Sequence, residues 1–275
     1  MAHFTPEDLD RLASALLRAG AEEIMPRFGK VAAPAARRKT SAFDIVTDAD
    51  EAAERAIAGA LRTHFPGCVV IGEEAADKDP ALLQGLHSAE LCFLVDPLDG
   101  TKNFASGLPL FGLMAAAVVR GQVVAGVIHD PVGGRMALAR LGAGAWLQDR
   151  SGARERMRVA DPVAVEEIEG IAGTNFLPEP LRTRVNTNLS RLRMTNWFRC
   201  AAHEYLLAAA GHCHILFYNR LMPWDHAAGW LLHREAGGFS AHFDGSAWLP
   251  SHTSGGLLYA PDRASWEAVR RALLE

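Results

Sequence analysis

At 275 residues, with 49% hydrophobic and 22% charged residues, the chain has the make-up of a folded protein with a large core, which excludes a disordered polymer. A net charge of −4, with basic residues spread along the chain, excludes the electrostatic footprint of a nucleic-acid binder and favours a small-molecule partner. No apolar run reaches membrane-spanning length, so no membrane association is expected.

Thr5-Pro6-Glu7-Asp8 opens an amphipathic helix through Leu9, Leu12, Ala13, Leu16 and Leu17. This is not the unbroken apolar core of a signal peptide, so a cytoplasmic protein is expected. A second helix starts after Thr47, with Asp50 three residues on as in a capping box, and stops near Phe65-Pro66-Gly67. Apolar runs at 69–71 and 91–95 read as buried strands that end directly in acidic residues. Runs at 111–119 and 123–129 flank Arg120-Gly121-Gln122, and a third follows Gly133-Gly134, which predicts an antiparallel meander. Gly142-Ala143-Gly144 follows no strand-to-helix transition and reads as a hairpin, not a nucleotide loop.

The Arg-rich stretch 150–158 reads as a solvated surface hairpin. Beyond it, helices over 179–192, 203–210, 225–236 and 264–274 alternate with strands near 168–173, 214–218 and 256–260. The pattern predicts one α/β unit over 1–275, with an α+β half over about 1–150 and an α/β half over about 151–275. Cys68, Cys92, Cys200 and Cys213 sit in apolar contexts without paired-ligand spacing, as buried thiols do. His212 and His214 share a strand face but lack a third nearby ligand, which makes a poor metal site.

The chemistry concentrates in Asp96-Pro97-Leu98-Asp99-Gly100-Thr101-Lys102-Asn103-Phe104, where two carboxylates and a hydroxyl follow a buried strand. Close carboxylates repel unless they share a cation, and all-oxygen ligation selects a hard ion such as Mg²⁺. Gly100 and Thr101 then open a short helix whose free N–H groups suit phosphate. Each dipeptide alone, Asp-Pro or Asp-Gly, is an ordinary turn former. Glu73-Glu74 ends another buried run, and Asp225 starts an apolar helix, where a charge also suits the macrodipole.

Four segments together resemble the signatures of the inositol monophosphatase family, in family order: Asp44 to Asp50, Gly72-Glu73-Glu74, Asp96 to Phe104, and Trp224-Asp225-His226-Ala227-Ala228-Gly229 with Glu235-Ala236-Gly237-Gly238. Haloacid dehalogenase phosphatases share an Asp-Gly-Thr end but need an aspartate where this chain has Pro97. The resemblance implies a layered α-β-α-β-α sandwich and a phosphomonoesterase acting on a small phosphate ester of the inositol 1-phosphate kind. It implies that Glu73, Asp96 and the Leu98 carbonyl hold one Mg²⁺ and that Asp96, Asp99 and Asp225 hold a second, with a third, weaker ion near Glu73. Asp50 and Thr101, with Glu73, form the implied catalytic set, and Lys39 joins Gly100 and Thr101 near the phosphate. Homodimerisation and inhibition by Li⁺ are implied as well.

The substrate-facing stretch departs from the animal enzymes of that family. Ala202-His203-Glu204 stands where they carry Gly-Thr-Ala, and Tyr218 replaces the inositol-binding carboxylate seven residues before Asp225. His203 and Glu204 either line the pocket or cap a helix, and Arg220 is either a loop arginine or a clamp for a carboxylate or second phosphate. Sugar bisphosphates, histidinol phosphate and 3′-phosphonucleotides are the alternative substrates, and a non-catalytic regulatory protein on the same fold is the alternative class.

Overall fold

The computed structural model of the chain describes residues 4–30, 37–38 and 45–275. It opens with α1 (Pro6–Ala19), the pair β1 (Arg37–Arg38) and β2 (Ile45–Val46), and α2 (Asp48–His64). There follow β3 (Val69–Gly72), α3 (Glu73–Lys78), α4 (Gly85–Ser88), β4 (Leu91–Asp99), α5 (Thr101–Ala105), β5 (Gly112–Val119), β6 (Gln122–Asp130), β7 (Arg135–Arg140), β8 (Ala145–Gln148) and β9 (Arg154–Arg156). The remainder comprises β10 (Glu169–Ala172), α6 (Leu181–Asn188), β11 (Met194–Asn196), α7 (Ala201–Ala209), β12 (Ile215–Tyr218), α8 (Pro223–Glu235), β13 (Phe239–Ala241), β14 (Leu257–Ala260) and α9 (Arg263–Leu274).

Local chemistry starts the helices where the sequence places them. Thr5 and Asp8 form a reciprocal capping box on α1, and Thr47 and Asp50 form one on α2. The meander folds back through Arg120 and Gly121, both at positive φ, as a tight two-residue hairpin turn requires.

Strands β3 to β9 form a seven-stranded sheet in chain order, with β3 and β4 parallel and the rest antiparallel. The second sheet has the order β11-β10-β12-β14-β13, which no local pattern announces. Helices α1 and α2 cover one face of the first sheet through Leu12, Leu16, Ile57 and Leu61. Helices α7 and α8 fill the space between the sheets through Tyr205, Leu231 and Leu232. Helices α6 and α9 close the far face of the second sheet through Val185, Trp266 and Val269. The result is the five-layer α-β-α-β-α order. Among the described residues no helix is long and apolar enough to cross a membrane.

All four cysteines are free thiols; Cys92, Cys200 and Cys213 are buried and Cys68 is partly so. Residues 150–156 form an exposed hairpin arm, with β9 exposed along its length, and Met157 just beyond it is buried in the core.

Candidate active site

A cleft opens where β3, β4, β10 and β12 end, the position at which α/β sheets commonly bind ligands. The first sheet contributes Glu73 from the start of α3, Asp96, Leu98 and Asp99 from the end of β4, and Gly100, Thr101 and Lys102 from the turn into α5. The layers beyond it contribute Glu204 from α7, Arg220 from the loop after β12, and Asp225 from the first turn of α8.

The sequence suggests a turn after a strand at Asp96, but β4 runs on to Asp99. Its pairing with β5 shifts register between Asp96 and Asp99, a bulge that turns both carboxylates toward the same cleft. Gly100 then takes φ 85°, and a Cβ there would stand 2.8 Å from the Leu110 carbonyl oxygen.

Asp96 is buried, and its carboxyl is pushed well above the usual carboxylate range, first by burial and then by the charges of Glu73, Asp99 and Asp225. The Leu98 N–H, donating to Oδ1 at 3.0 Å, offsets part of this. Asp99 is raised as well, chiefly by burial, while Oδ2 accepts from the Ala202 N–H at 2.5 Å and from the Cys200 thiol at 3.1 Å. Cys200 stays a thiol because burial and the charge of Asp99 both disfavour its anion. Among the described residues no three His, Cys, Asp or Glu side chains, as they lie, form a group that could hold a metal ion. The donor set itself fits a hard divalent cation: it is all oxygen, and its negative charge exceeds what the local hydrogen bonds offset.

Asp50 lies behind Thr101 in the protein interior. Its Oδ1 accepts from the Thr101 hydroxyl at 3.0 Å, and its Oδ2 accepts from the Thr47 N–H at 2.8 Å and the Thr47 hydroxyl at 2.5 Å. Burial raises its pKa against these bonds, which lower it. Thr101 Oγ1 also lies 2.9 Å from the Leu98 carbonyl, so one hydroxyl proton faces two acceptors. Capping and contact with Thr101 are therefore both served by Asp50, one by each oxygen.

Sequence reasoning missed Glu54, one turn beyond Asp50 on α2. Its carboxylate accepts from the Glu74 N–H at 2.7 Å and the Ala75 N–H at 3.0 Å, so it caps the helix whose first residue is Glu73. Gly72 leaves room for this contact, because a Cβ there would displace the Glu54 carboxylate. The spacing of Asp50 and Glu54, four residues apart on a helix, is the signal that was available. Glu54→Ala is expected to cost about 1–2 kcal/mol, as cap losses do. It should also weaken divalent-cation binding by roughly tenfold through displacement of Glu73. Urea denaturation and calorimetric Mg²⁺ titration check the two effects.

Also unforeseen is the network beneath Arg220. His226 contacts the Arg220 carbonyl through Nε2 and the Tyr205 hydroxyl through Nδ1, both at 2.8 Å, and Tyr205 meets the Tyr259 hydroxyl at 2.7 Å. Burial drops His226 to about 4, so it is neutral and fixes the loop backbone without adding charge.

Of the remaining expected residues, Glu204 is buried at the cleft wall, accepting from the Tyr218 hydroxyl at 2.8 Å and the Phe198 N–H at 3.1 Å. His203 is not among the residues lining the cleft; its Nε2 lies 3.2 Å from the Phe111 carbonyl. It follows the helix twist away from Glu204. Arg220 does line the cleft, with its guanidinium over the Phe176 ring at 5.6 Å. Lys39 and Asp44 lie outside the described residues. His214 Nδ1 lies 3.2 Å from the Glu169 N–H, a structural contact.

A profile of the inositol monophosphatase family matches residues 5–273. The chain is 32% identical over 241 residues to a fructose-1,6-bisphosphatase/inositol-1-monophosphatase of Thermotoga maritima, covering 86% of each. It is 34% identical over 219 residues to the Nus factor SuhB of Pseudomonas aeruginosa, covering 74% of each. Among solved structures, the extragenic suppressor protein SuhB of Bartonella henselae matches with a TM-score of 0.83 at 28% identity, over 96% of this chain and 97% of that one.

Proposed function

Because the chain belongs to the inositol monophosphatase family, we propose that it is a Mg²⁺-dependent phosphomonoesterase acting on a small phosphorylated metabolite. The observation that supports this most is Asp96, buried among the charges of Glu73, Asp99 and Asp225 beside the Thr101–Asp50 hydrogen bond. Two or three Mg²⁺ ions, held by Glu73, Asp96, the Leu98 carbonyl, Asp99 and Asp225, would supply water activation and charge stabilisation.

The chain's own groups do the rest. With its proton donated to Asp50, the Thr101 hydroxyl keeps a lone pair that accepts from a water in the cleft. One proton leaves that water through Thr101 toward Asp50, and burial has already raised the affinity of Asp50 for it. The water oxygen bonds to phosphorus as the ester P–O bond breaks, and one proton reaches the departing oxygen, so ester and water become alcohol and hydrogen phosphate. The Gly100 and Thr101 amides, at the start of α5, balance charge on the non-bridging oxygens. No covalent enzyme intermediate is needed. Lys39 as a further phosphate contact, homodimeric assembly and a cytoplasmic location belong to the same proposal.

The relative named as a Nus factor supports a second reading, a regulatory protein on this fold. The carboxylates favour turnover instead. Burying them together costs stability, and a protein without catalysis would gain by losing them. The test is phosphate release from inositol 1-phosphate, fructose 1,6-bisphosphate and histidinol phosphate, with and without Mg²⁺. Turnover that needs Mg²⁺ is expected; turnover indifferent to Mg²⁺ rejects the mechanism, and silence on every ester promotes the regulatory reading.

A further inference from the structure

Two large aromatic side chains stand open at the mouth of this cleft: Phe176 is 50% exposed and Trp197 is 41% exposed. Both lie on segments of the second-sheet half, facing the ligand space from the side opposite β4. Beside them, Asn219 lines the same cleft, and its Nδ2 is buried without a hydrogen-bond acceptor among the described residues. An enclosed donor that forgoes its bond is costly, and such an atom in a cleft wall marks the place of a ligand acceptor.

We infer that the leaving-group end of the cleft binds a planar nitrogen heteroaromatic ring, stacked on Phe176 and Trp197 with an acceptor toward Asn219 Nδ2, so that the substrate class is a nucleoside monophosphate. The inference rests on the phosphatase reading above and deepens it. Rings stack on open aromatic side chains, and the guanidinium of Arg220 lies over Phe176 at 5.6 Å, adding a cation to the same aromatic wall. A polyol presents many hydroxyl donors and needs carboxylate acceptors. Of the two carboxylates that this half brings to the cleft, Glu204 has its oxygens engaged by the Tyr218 hydroxyl and the Phe198 N–H, and Asp225 stands among the charges around Asp96. Donors and π faces therefore outnumber free acceptors here, which suits the ring nitrogens of a base better than a ring of hydroxyls.

The paired probes are adenosine 5′-monophosphate and ribose 5-phosphate, which differ by the base alone, with inositol 1-phosphate as the polyol. The value of kcat/KM is expected to be at least about tenfold higher for the nucleotide than for ribose 5-phosphate. That ratio should fall about five- to tenfold in Trp197→Leu, Phe176→Leu and Asn219→Ala, with melting curves confirming that each variant folds. Calorimetric binding of the nucleotide separates this inference from the one beneath it. Nucleotide bound with no phosphate released from any of the three esters retains the ring subsite and rejects the phosphatase. Phosphate release that is no faster from the nucleotide than from ribose 5-phosphate, or fastest from inositol 1-phosphate, overturns the ring subsite and retains the phosphatase. A nucleotide preference unmoved by all three substitutions overturns the assignment of these residues.

Discussion

Asp96→Asn is expected to cut Mg²⁺-dependent phosphate release by at least about a thousandfold and, in the same protein, to raise stability when divalent ions are chelated. Both effects have one cause. The Asp96 carboxyl is out of water and faces the charges of Glu73, Asp99 and Asp225, so its anion is disfavoured in the folded chain. An asparagine keeps the acceptor for the Leu98 N–H and removes the repulsion. The gain should be roughly 1–3 kcal/mol in EDTA, the scale of relieving a buried charge at a functional site. Saturating Mg²⁺ should stabilise the natural protein, by linkage, and the variant little, so the order of their melting temperatures reverses on adding metal. Phosphate release and thermal melts of both proteins, with EDTA and with excess Mg²⁺, make the test. Turnover retained in the variant would separate Asp96 from the chemistry, and a variant that melts lower than the natural protein in EDTA would show that the repulsion is not there.

What the sequence makes legible follows from how far apart the interacting residues are. Capping boxes at Thr5 and Thr47 span three residues, and the meander from β5 to β7 pairs neighbours in the chain, so periodicity and turn chemistry suffice. The second sheet is different: its order is not the chain order, and β11 and β13 are three-residue strands with too few positions to establish a period. The site divides in the same way. Asp96, Asp99 and Thr101 fall within one short segment that ends a buried run. The bulge that turns Asp96 and Asp99 together is set by pairing with β5 and leaves no mark in the motif. Glu54 reaches Glu74 across 20 residues, and Asp99 reaches the Ala202 N–H across 103. Ala202 carries no local pattern, and the four-residue spacing of Glu54 from Asp50 names no partner, so only the fold brings the two to theirs. The position of His203 is the converse case. Adjacent residues on a helix diverge by about a hundred degrees, and here Glu204 turns to the cleft while His203 turns to the Phe111 carbonyl.

Glu204→Gln is expected to change how stability depends on pH. Burial, aided by the charge of Asp99, lifts the Glu204 carboxyl to about 7 from an ordinary 4.5, against the lowering effect of the Tyr218 hydroxyl and the Phe198 N–H. The folded chain thus holds this proton more tightly than the unfolded one. The associated stability is fully present below pH 4.5, falls as pH rises through about 7, and is constant above that. A rise from 4.5 to about 7 corresponds to a loss on the order of 3 kcal/mol across the window. Glutamine has no proton to lose, and it keeps one acceptor for the Phe198 N–H and a donor that the Tyr218 oxygen can accept. Urea denaturation of both proteins in EDTA, in steps from pH 4.5 to 8, should therefore show the variant gaining on the natural chain by about that amount as pH rises. Parallel stability curves would show that Glu204 is not held protonated. The direction bears on the cleft as well as on the fold: below about pH 7 a protonated Glu204 behind Tyr218 adds no negative charge on the wall that the proposed anionic ester would face. The cleft can then reserve its negative charge for the cation side, where Asp96 and its neighbours collect it.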